Sequence, residues 1–355
     1  MPRPIKATID LGALQHNLHQ VRRHAGSSAV LAVIKADAYG HGALRVAHAL
    51  AAADGFALLE LDAAARLRES GYKQRIVLLE GVFEVADLHV ADNLGLALVI
   101  HNHQQLRLLD FARTGTQFDV FLKINTGMNR LGFTPHAAGR VLDQLKAHRA
   151  VRQLVLMAHF ASADEARGVA WQMKVFNDVA AGRNLPISLA NSAALLRYPE
   201  TCGDWVRPGI VLYGCSPFAD VSAEQLGLKP VMTLTSEIIA VQELAAGARI
   251  GYGGVFEAEH AMRVGIVACG YADGYPRHAP TGTPTLVGGR RTRTLGRVAM
   301  DMLCVDLSGF PEASVGTPVT LWGQGLSADE VAFCAGTVSY ELLCALSPRV
   351  PVREI

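Results

Sequence analysis

The first two-thirds of the chain repeats one pattern: a short, uninterrupted apolar run, then a longer stretch with helical spacing. The runs are AVLAVI from Ala29, GFALLE from Gly55, RIVLLEG from Arg75, LGLALVI from Leu94, FDVFLKI from Phe118, LVLMAHF from Leu154, PISLAN from Pro186 and GIVLYG from Gly209. Continuous rather than alternating apolar character marks strands covered on both faces, as in a parallel sheet. The segments between most of them, such as ALRVAHALAAA and LDAAARLRESG, are rich in Ala, Leu and Arg, and the second ends at Gly71 as helices commonly end. Eight such strands alternating with helices predict an α/β fold, a TIM (β/α)8 barrel closed by right-handed crossovers. An open doubly wound sheet is the alternative, but no GxGxxG follows the first strand.

From about Val231 the texture changes to β-rich segments such as VMTLTSEIIAVQEL, MRVGIVAC and TRTLGRVAMDMLCVDL, divided by Gly and Pro turns. A barrel domain over 1–228 and a mainly β domain over 229–355 are predicted, with the boundary in SAEQLGLKP, residues 222–230. The early segment KATIDL also reads as a strand and could pair with either domain. At 355 residues, two domains are the natural division. A net charge of +1 gives no electrostatic footprint for nucleic acid or an acidic membrane surface. No apolar run reaches the roughly 18 residues of a membrane-spanning helix, and MPRPIKATIDLGAL lacks the apolar core of a secretory signal. The cysteines form no CxxC pair, which suits free thiols in a reducing compartment. These features predict a cytoplasmic protein with no nucleic-acid or membrane partner.

In a barrel of this kind the chemistry sits at the C-terminal ends of the strands. Reactive side chains fall at several of those ends: Lys35 after the first, Lys123 near the end of the fifth, His159 at the sixth, and Asn191 with Ser192 at the seventh. Arg207, Gly209 and Ile210 stand at the opening of the eighth. Taken singly each has a plain alternative: Lys35 could reach to solvent, His159 could be a satisfied core histidine, and Asn191 and Ser192 could merely cap a helix. Together they outline a site. Lys35 is then an amine occupied as an imine with a carbonyl cofactor. Free N–H groups near Ser192 and the bare backbone at Gly209 suit a phosphate. An amine at one end and a phosphate seat at the other point to pyridoxal 5'-phosphate. His101 and His103 in HNH lack supporting Cys or acidic ligands, and no metal is expected.

With these residues in view the chain resembles the alanine racemase family, PLP-dependent enzymes of fold type III. AVIKADAYGHG resembles its PLP-attachment motif, and KINTGMNRLG, AHFASAD, ANSAALL, WVRPGIVLYG, GYGG, GYADGYPR, GRVAMDM and TVSYELL resemble its other motifs in order. The resemblance covers essentially the whole chain. Two departures are visible: Ala299 stands in VAMD where many relatives carry cysteine, and Asp37 stands in ADAYG where asparagine is also common.

The resemblance implies that Lys35 anchors the cofactor covalently and acts as one catalytic base. Tyr252, lent by the β domain of the partner in a head-to-tail homodimer, would be the second. It further implies that Tyr39, Ser192, the backbone of Gly209 and Ile210, and Tyr340 bind the phosphate, near His159 and Asn191, and that Arg207 donates to the pyridine nitrogen. Arg130 and the Met300 backbone would hold the substrate carboxylate, with Tyr271 at the entrance and Asp301 close by. Lys123 matches a lysine that some members carbamylate. The expected reaction is interconversion of L-alanine and D-alanine, for peptidoglycan or in catabolism. Two bases on opposite faces spare a single base from crossing the substrate plane. A free phenol has a pKa of about 10, so Tyr252 needs help, for which a hydrogen-bond chain through His159 to Arg207 is expected. The alternatives are a broad-specificity amino-acid racemase and a non-catalytic PLP-binding protein.

Overall fold

The computed structural model describes residues 3–355. The barrel is built from β2 (Ala29–Val33), β3 (Gly55–Leu58), β4 (Arg75–Leu78), β5 (Ala97–Ile100), β6 (Phe118–Lys123), β7 (Val151–Met157), β8 (Ile187–Ser188) and β9 (Trp205–Val206). Every neighbouring pair is parallel, and β2 pairs with β9 to close the ring. The apolar runs are buried as their continuity requires: all residues of β3 and β5 lie in the core. Helices cover the outside, and their caps are local. Thr134 accepts from the Ala137 N–H at the head of Pro135–Ala147, and Asp10 accepts from Ala13 at the head of α1 (Leu11–Ala25).

One strand assignment is corrected. The eighth barrel strand is Trp205–Val206, and the apolar run Ile210–Tyr213 is a buried 3-10 turn, not a strand. Pro208 and Gly209 end the extended segment, and the turn packs against α1. A short apolar run between Gly residues fits a buried strand or a buried turn equally well.

The second unit is antiparallel apart from one parallel pair. Its strands are β10 (Met232–Leu244), β11 (Arg249–Ile250), β12 (Phe256–Glu257), β13 (Met262–Val267), β14 (Pro284–Val287), β15 (Arg290–Leu295), β16 (Leu303–Asp306), β17 (Pro318–Trp322) and β18 (Val352–Glu354). The long β10 pairs with β17 through its first half and β13 through its second, so these pairings run in a ring through β16, β15 and β14. The early strand β1 (Lys6–Ile9) lies in this sheet, antiparallel to β10 and parallel to β18. That resolves the choice its sequence left open. The small β11–β12 hairpin rests on a satellite core of Ile250, Ala258, Met262, Val264 and Leu295.

Candidate active site

The C-terminal mouth of the barrel opens into a cavity of about 800 Å³, lined by Lys35, Tyr39, Lys123, Arg130, His159, Asn191, Ser192, Arg207, Gly209, Ile210 and Tyr340 among others. The expected barrel-side residues therefore converge on one space, together with Tyr340 from the helix Ser339–Cys344 of the second unit.

The first barrel strand, β2, delivers Lys35 into an unusual piece of backbone. Ala36, Asp37, Ala38 and Tyr39 all have φ between 49° and 55°, a left-handed helical turn made without glycine until Gly40. Each such residue costs about 1–2 kcal/mol, so the surroundings must impose it. They do so at several points. The Asp37 carboxylate accepts the Ala43 N–H at 2.8 Å, and Nδ1 of the buried His41 donates to the carbonyls of Ala38 and Tyr39 at 3.0 and 2.9 Å. Gly40 lies so close to the second unit that a Cβ would sit 2.2 Å from the Leu343 carbonyl oxygen. Tyr39 stacks on Tyr213, with ring centroids 4.6 Å apart, and its hydroxyl points at Gly209, where a Cβ would come within 2.5 Å.

Opposite this turn lies a seat of hydroxyl and amide groups. Asn191 caps the helix Ser192–Arg197 by accepting the Ala194 N–H at 3.0 Å, and Ser192 Oγ accepts the Gly209 N–H at 2.9 Å. The capping role of Asn191 is thus present alongside its place in the cavity lining.

Arg207, in the cavity lining, is buried and, among the described residues, pairs with no carboxylate. It donates to Ser188 Oγ at 2.7 Å, to the Ala158 and Leu189 carbonyls at 2.8 and 3.2 Å, and reaches His159 Nδ1 at 3.5 Å. Burial lowers its pKa only to about 10, so it stays charged at neutral pH. Burial, followed by the charges of Arg207, Lys123, Arg130 and Lys35, holds His159 well below the ordinary histidine value. A neutral ring accepting from Arg207 at Nδ1 carries its proton on Nε2.

Lys123 ends β6. Burial, then the charges of Arg207, Arg130 and Lys35, lower its amine to a pKa of about 8. Arg130 is carried by the loop that follows, which Asn125 ties by accepting the Gly127 and Asn129 N–H groups at 3.0 Å each. His101 also lines the cavity and contacts the Glu80 carbonyl, whereas His103 stacks edgewise on Phe133.

The other expected residues are elsewhere. Tyr252 sits at the tip between β11 and β12 and is 72% exposed. Tyr271, Met300 and Asp301 lie together on the same unit: the Tyr271 N–H donates to Ala299 O and the Ala272 N–H to Met300 O, both at 3.0 Å. None of these four lines the cavity of its own chain. Sequence reasoning missed His41, Ser188 and Gln172. Gln172, buried in the helix Ala170–Ala180, donates to Thr126 Oγ1 and His159 O at 2.8 and 3.0 Å, tying two loops of the mouth together. Their only sequence signal is a polar residue in an otherwise apolar pattern. Asp37, noted in the sequence only as standing where asparagine is also common, clamps the left-handed turn.

Two family models divide the chain much as its architecture does. Residues 9–217 match "Alanine racemase, N-terminal domain" and residues 231–354 match "Alanine racemase, C-terminal domain". The chain belongs to the alanine racemase family. It is 60% identical over 353 residues to the alanine racemase of Nitrosospira multiformis, covering 99% of each chain. It is 53% identical over 354 residues to the catabolic alanine racemase of Salmonella typhimurium, again covering 99% of each. Its fold superposes on the biosynthetic alanine racemase of Pseudomonas aeruginosa with a TM-score of 0.97 at 49% identity, covering 99% of both chains. The family fold is thus a closed parallel barrel with a mainly β unit, as the sequence pattern predicted.

Proposed function

We propose that this protein interconverts L-alanine and D-alanine, using pyridoxal 5'-phosphate in a site completed by a second copy of the chain. The observation that carries the reading is the convergence of Lys35, Lys123, Arg130 and Arg207 on one cavity, in a chain aligned end to end with alanine racemases. Glu80, Asp164 and Asp329 also line the cavity, but the four cations outnumber them, which suits an anionic ligand. The cofactor's fit is supported by three features of the mouth. A strand-end amine faces the cavity, the hydroxyls of Tyr39 and Ser192 lie against the Gly209 backbone with Tyr340 in the same lining, and a buried guanidinium has no acid of its own among the described residues. When bound, the cofactor would supply an electron-withdrawing ring that acidifies the Cα–H of an attached amino acid.

The chain's own groups then divide the work. The Lys35 amine takes or returns the α-proton on one face. Tyr252 of the partner subunit does so on the other. Neutral His159, receiving from Arg207 and donating from Nε2, favours the phenolate form of that tyrosine. Arg130 and the partner's Met300 N–H hold the carboxylate and so fix which faces the bases see. Lys123, with its depressed pKa, is suited to attack carbon dioxide: the neutral amine adds to CO2, a carbamate forms and one proton is released. The resulting anion would steady Arg130 against the other cations. In this reading the partner supplies Tyr252, Tyr271, Met300 and Asp301, which is supported by their lying outside the cavity lining of their own chain. The domain division at about 228/229 places those residues in the lending unit. Free cysteines throughout suit a reducing, cytoplasmic setting.

Purified protein loaded with pyridoxal phosphate and offered each L-amino acid in turn, with chiral detection, tests the reading. D-alanine should form fastest. Comparable turnover of many side chains would indicate the broad-specificity racemase instead. A yellow, cofactor-loaded protein that inverts no amino acid would overturn the proposal in favour of a binding protein.

A further inference from the structure

The turn Tyr271–Asp273 is held by a cluster that joins widely separated parts of the chain. Asp273 has no solvent exposure, yet it is not isolated: Arg3 donates to both its oxygens at 2.8 and 3.1 Å, Arg349 Nε donates at 2.7 Å, and the Gly270 N–H at 2.9 Å. Arg3 precedes β1 and Arg349 precedes β18, and the parallel pairing of those strands brings the two guanidiniums together. Both then reach past Asp273 to the same neighbour. Arg3 Nη2 donates to the Asp301 carbonyl at 2.6 Å and Arg349 Nη2 to the Asp301 carboxylate at 2.7 Å.

Met300 lies between these anchors. Its carbonyl accepts the Ala272 N–H at 3.0 Å, while Ala299 accepts from Tyr271 and donates to Met302 O at 2.9 Å. Gly270 is pressed so tightly on this loop that a Cβ would sit 2.3 Å from Ala299 O and 2.4 Å from Met300 O. Among the described residues the Met300 N–H has no acceptor, and its side chain is 53% exposed. The loop is thus held at the Ala299, Met300 and Asp301 carbonyls, while the Met300 N–H is left without an acceptor among the described residues.

We propose that Arg3 and Arg349, acting through Asp273 and Asp301, are positioning residues for substrate: they hold the Met300 amide in the orientation at which it meets the carboxylate in the partner subunit's cavity. This rests on the shared-site reading above. Arg3, Arg349 and Asp273 are outside the residues assigned to substrate and cofactor, so loosening their hold should weaken carboxylate binding and leave the proton transfers largely intact.

The test compares wild-type holoenzyme with the variants Arg349→Gln, Arg3→Gln and Asp273→Asn, measuring KM for L-alanine, kcat, and inhibition by propionate, a carboxylate without an amine. KM and the propionate inhibition constant should rise together by about tenfold, the effect of one misplaced hydrogen bond, with kcat within about twofold. Arg349→Lys, which keeps the charge and one donor path, should recover part of the loss. Should Asp273→Asn fail to fold, the two single arginine variants, each leaving Asp273 one guanidinium, carry the measurement. Active wild-type protein with KM and propionate inhibition unchanged in those variants overturns the clamp alone, as does a fall in kcat without a change in either. Wild-type protein that inverts no alanine overturns the proposed function, and the clamp with it.

Discussion

Arg207 is a buried cation whose partners are a hydroxyl, two carbonyls and a histidine ring. That choice of partners leaves its charge free to act on His159 and on whatever occupies the cavity, since among the described residues no carboxylate pairs with it. The His159→Ala variant tests the relay at this scale. The tyrosine-dependent direction should slow relative to the other, and an unchanged ratio and pH profile would remove His159 from the chain of hydrogen bonds. Lys123 makes a separate expectation. With its pKa near 8, about half the amine is neutral at pH 8 and about 1% at pH 6. Protein prepared free of carbon dioxide should therefore show a several-fold higher KM for alanine, restored by bicarbonate at pH 8. Isotope-labelled bicarbonate should give a carbamate resonance that Lys123→Ala lacks. Arg207, read as opening the eighth strand, instead follows its end at Val206, whereas His159 and Lys123 were reachable from the sequence because each ends a recognisable strand within a motif. The Asp273 cluster was not, because Arg3 and Asp273 are 270 positions apart and no local pattern pairs them.

Among the elements, the left-handed turn at Ala36–Tyr39 is the least expected from propensity and the closest to the chemistry. Periodicity exposes barrel strands because burial on both faces writes a continuous apolar run. It says nothing of a turn that local preferences oppose and tertiary contacts impose. The 3-10 turn Ile210–Tyr213 escaped for a different reason, since burial alone made it read as a strand. The strain predicts opposite outcomes at neighbouring positions. Ala36 is exposed, so Ala36→Gly should raise stability to unfolding by about 1 kcal/mol. Gly40→Ala, which drives a Cβ into the Leu343 carbonyl, should lower it and weaken cofactor retention. Denaturant titration reads both. His41 adds a pH dependence. Burial lowers its folded-state pKa to about 4, below its unfolded value of 6.5, so the folded ring stays neutral while the unfolded ring takes up a proton. Its contribution is complete above pH 6.5, is lost as pH falls from 6.5 to 4, and totals about 3 kcal/mol. The His41→Gln variant should lose less stability than wild type across that interval, and equal losses would place the titration elsewhere.

At the scale of the molecule, the proposed site draws on two sets of residues that a single copy keeps apart. The barrel mouth gathers the anchor amine and the cations, and the β unit presents Tyr252, Tyr271 and Met300 outward, each more than a third exposed. Exposed aromatic and methionine side chains near a free amide suit a surface that another molecule covers. The sequence showed that both halves are present but carried no measure of distance between them, so only the resemblance implied a shared site. Dilution should therefore lower specific activity once subunits separate, with recovery on concentration. The most direct measurement is complementation between two inactive variants. Lys35→Ala and Tyr252→Phe proteins, co-expressed with different tags and purified as the mixed dimer, should recover about half of wild-type activity. One of the two sites then carries both lesions and the other carries neither. A mixed dimer as inactive as its parents would contradict the account, because it would mean that each chain supplies both bases to its own cavity.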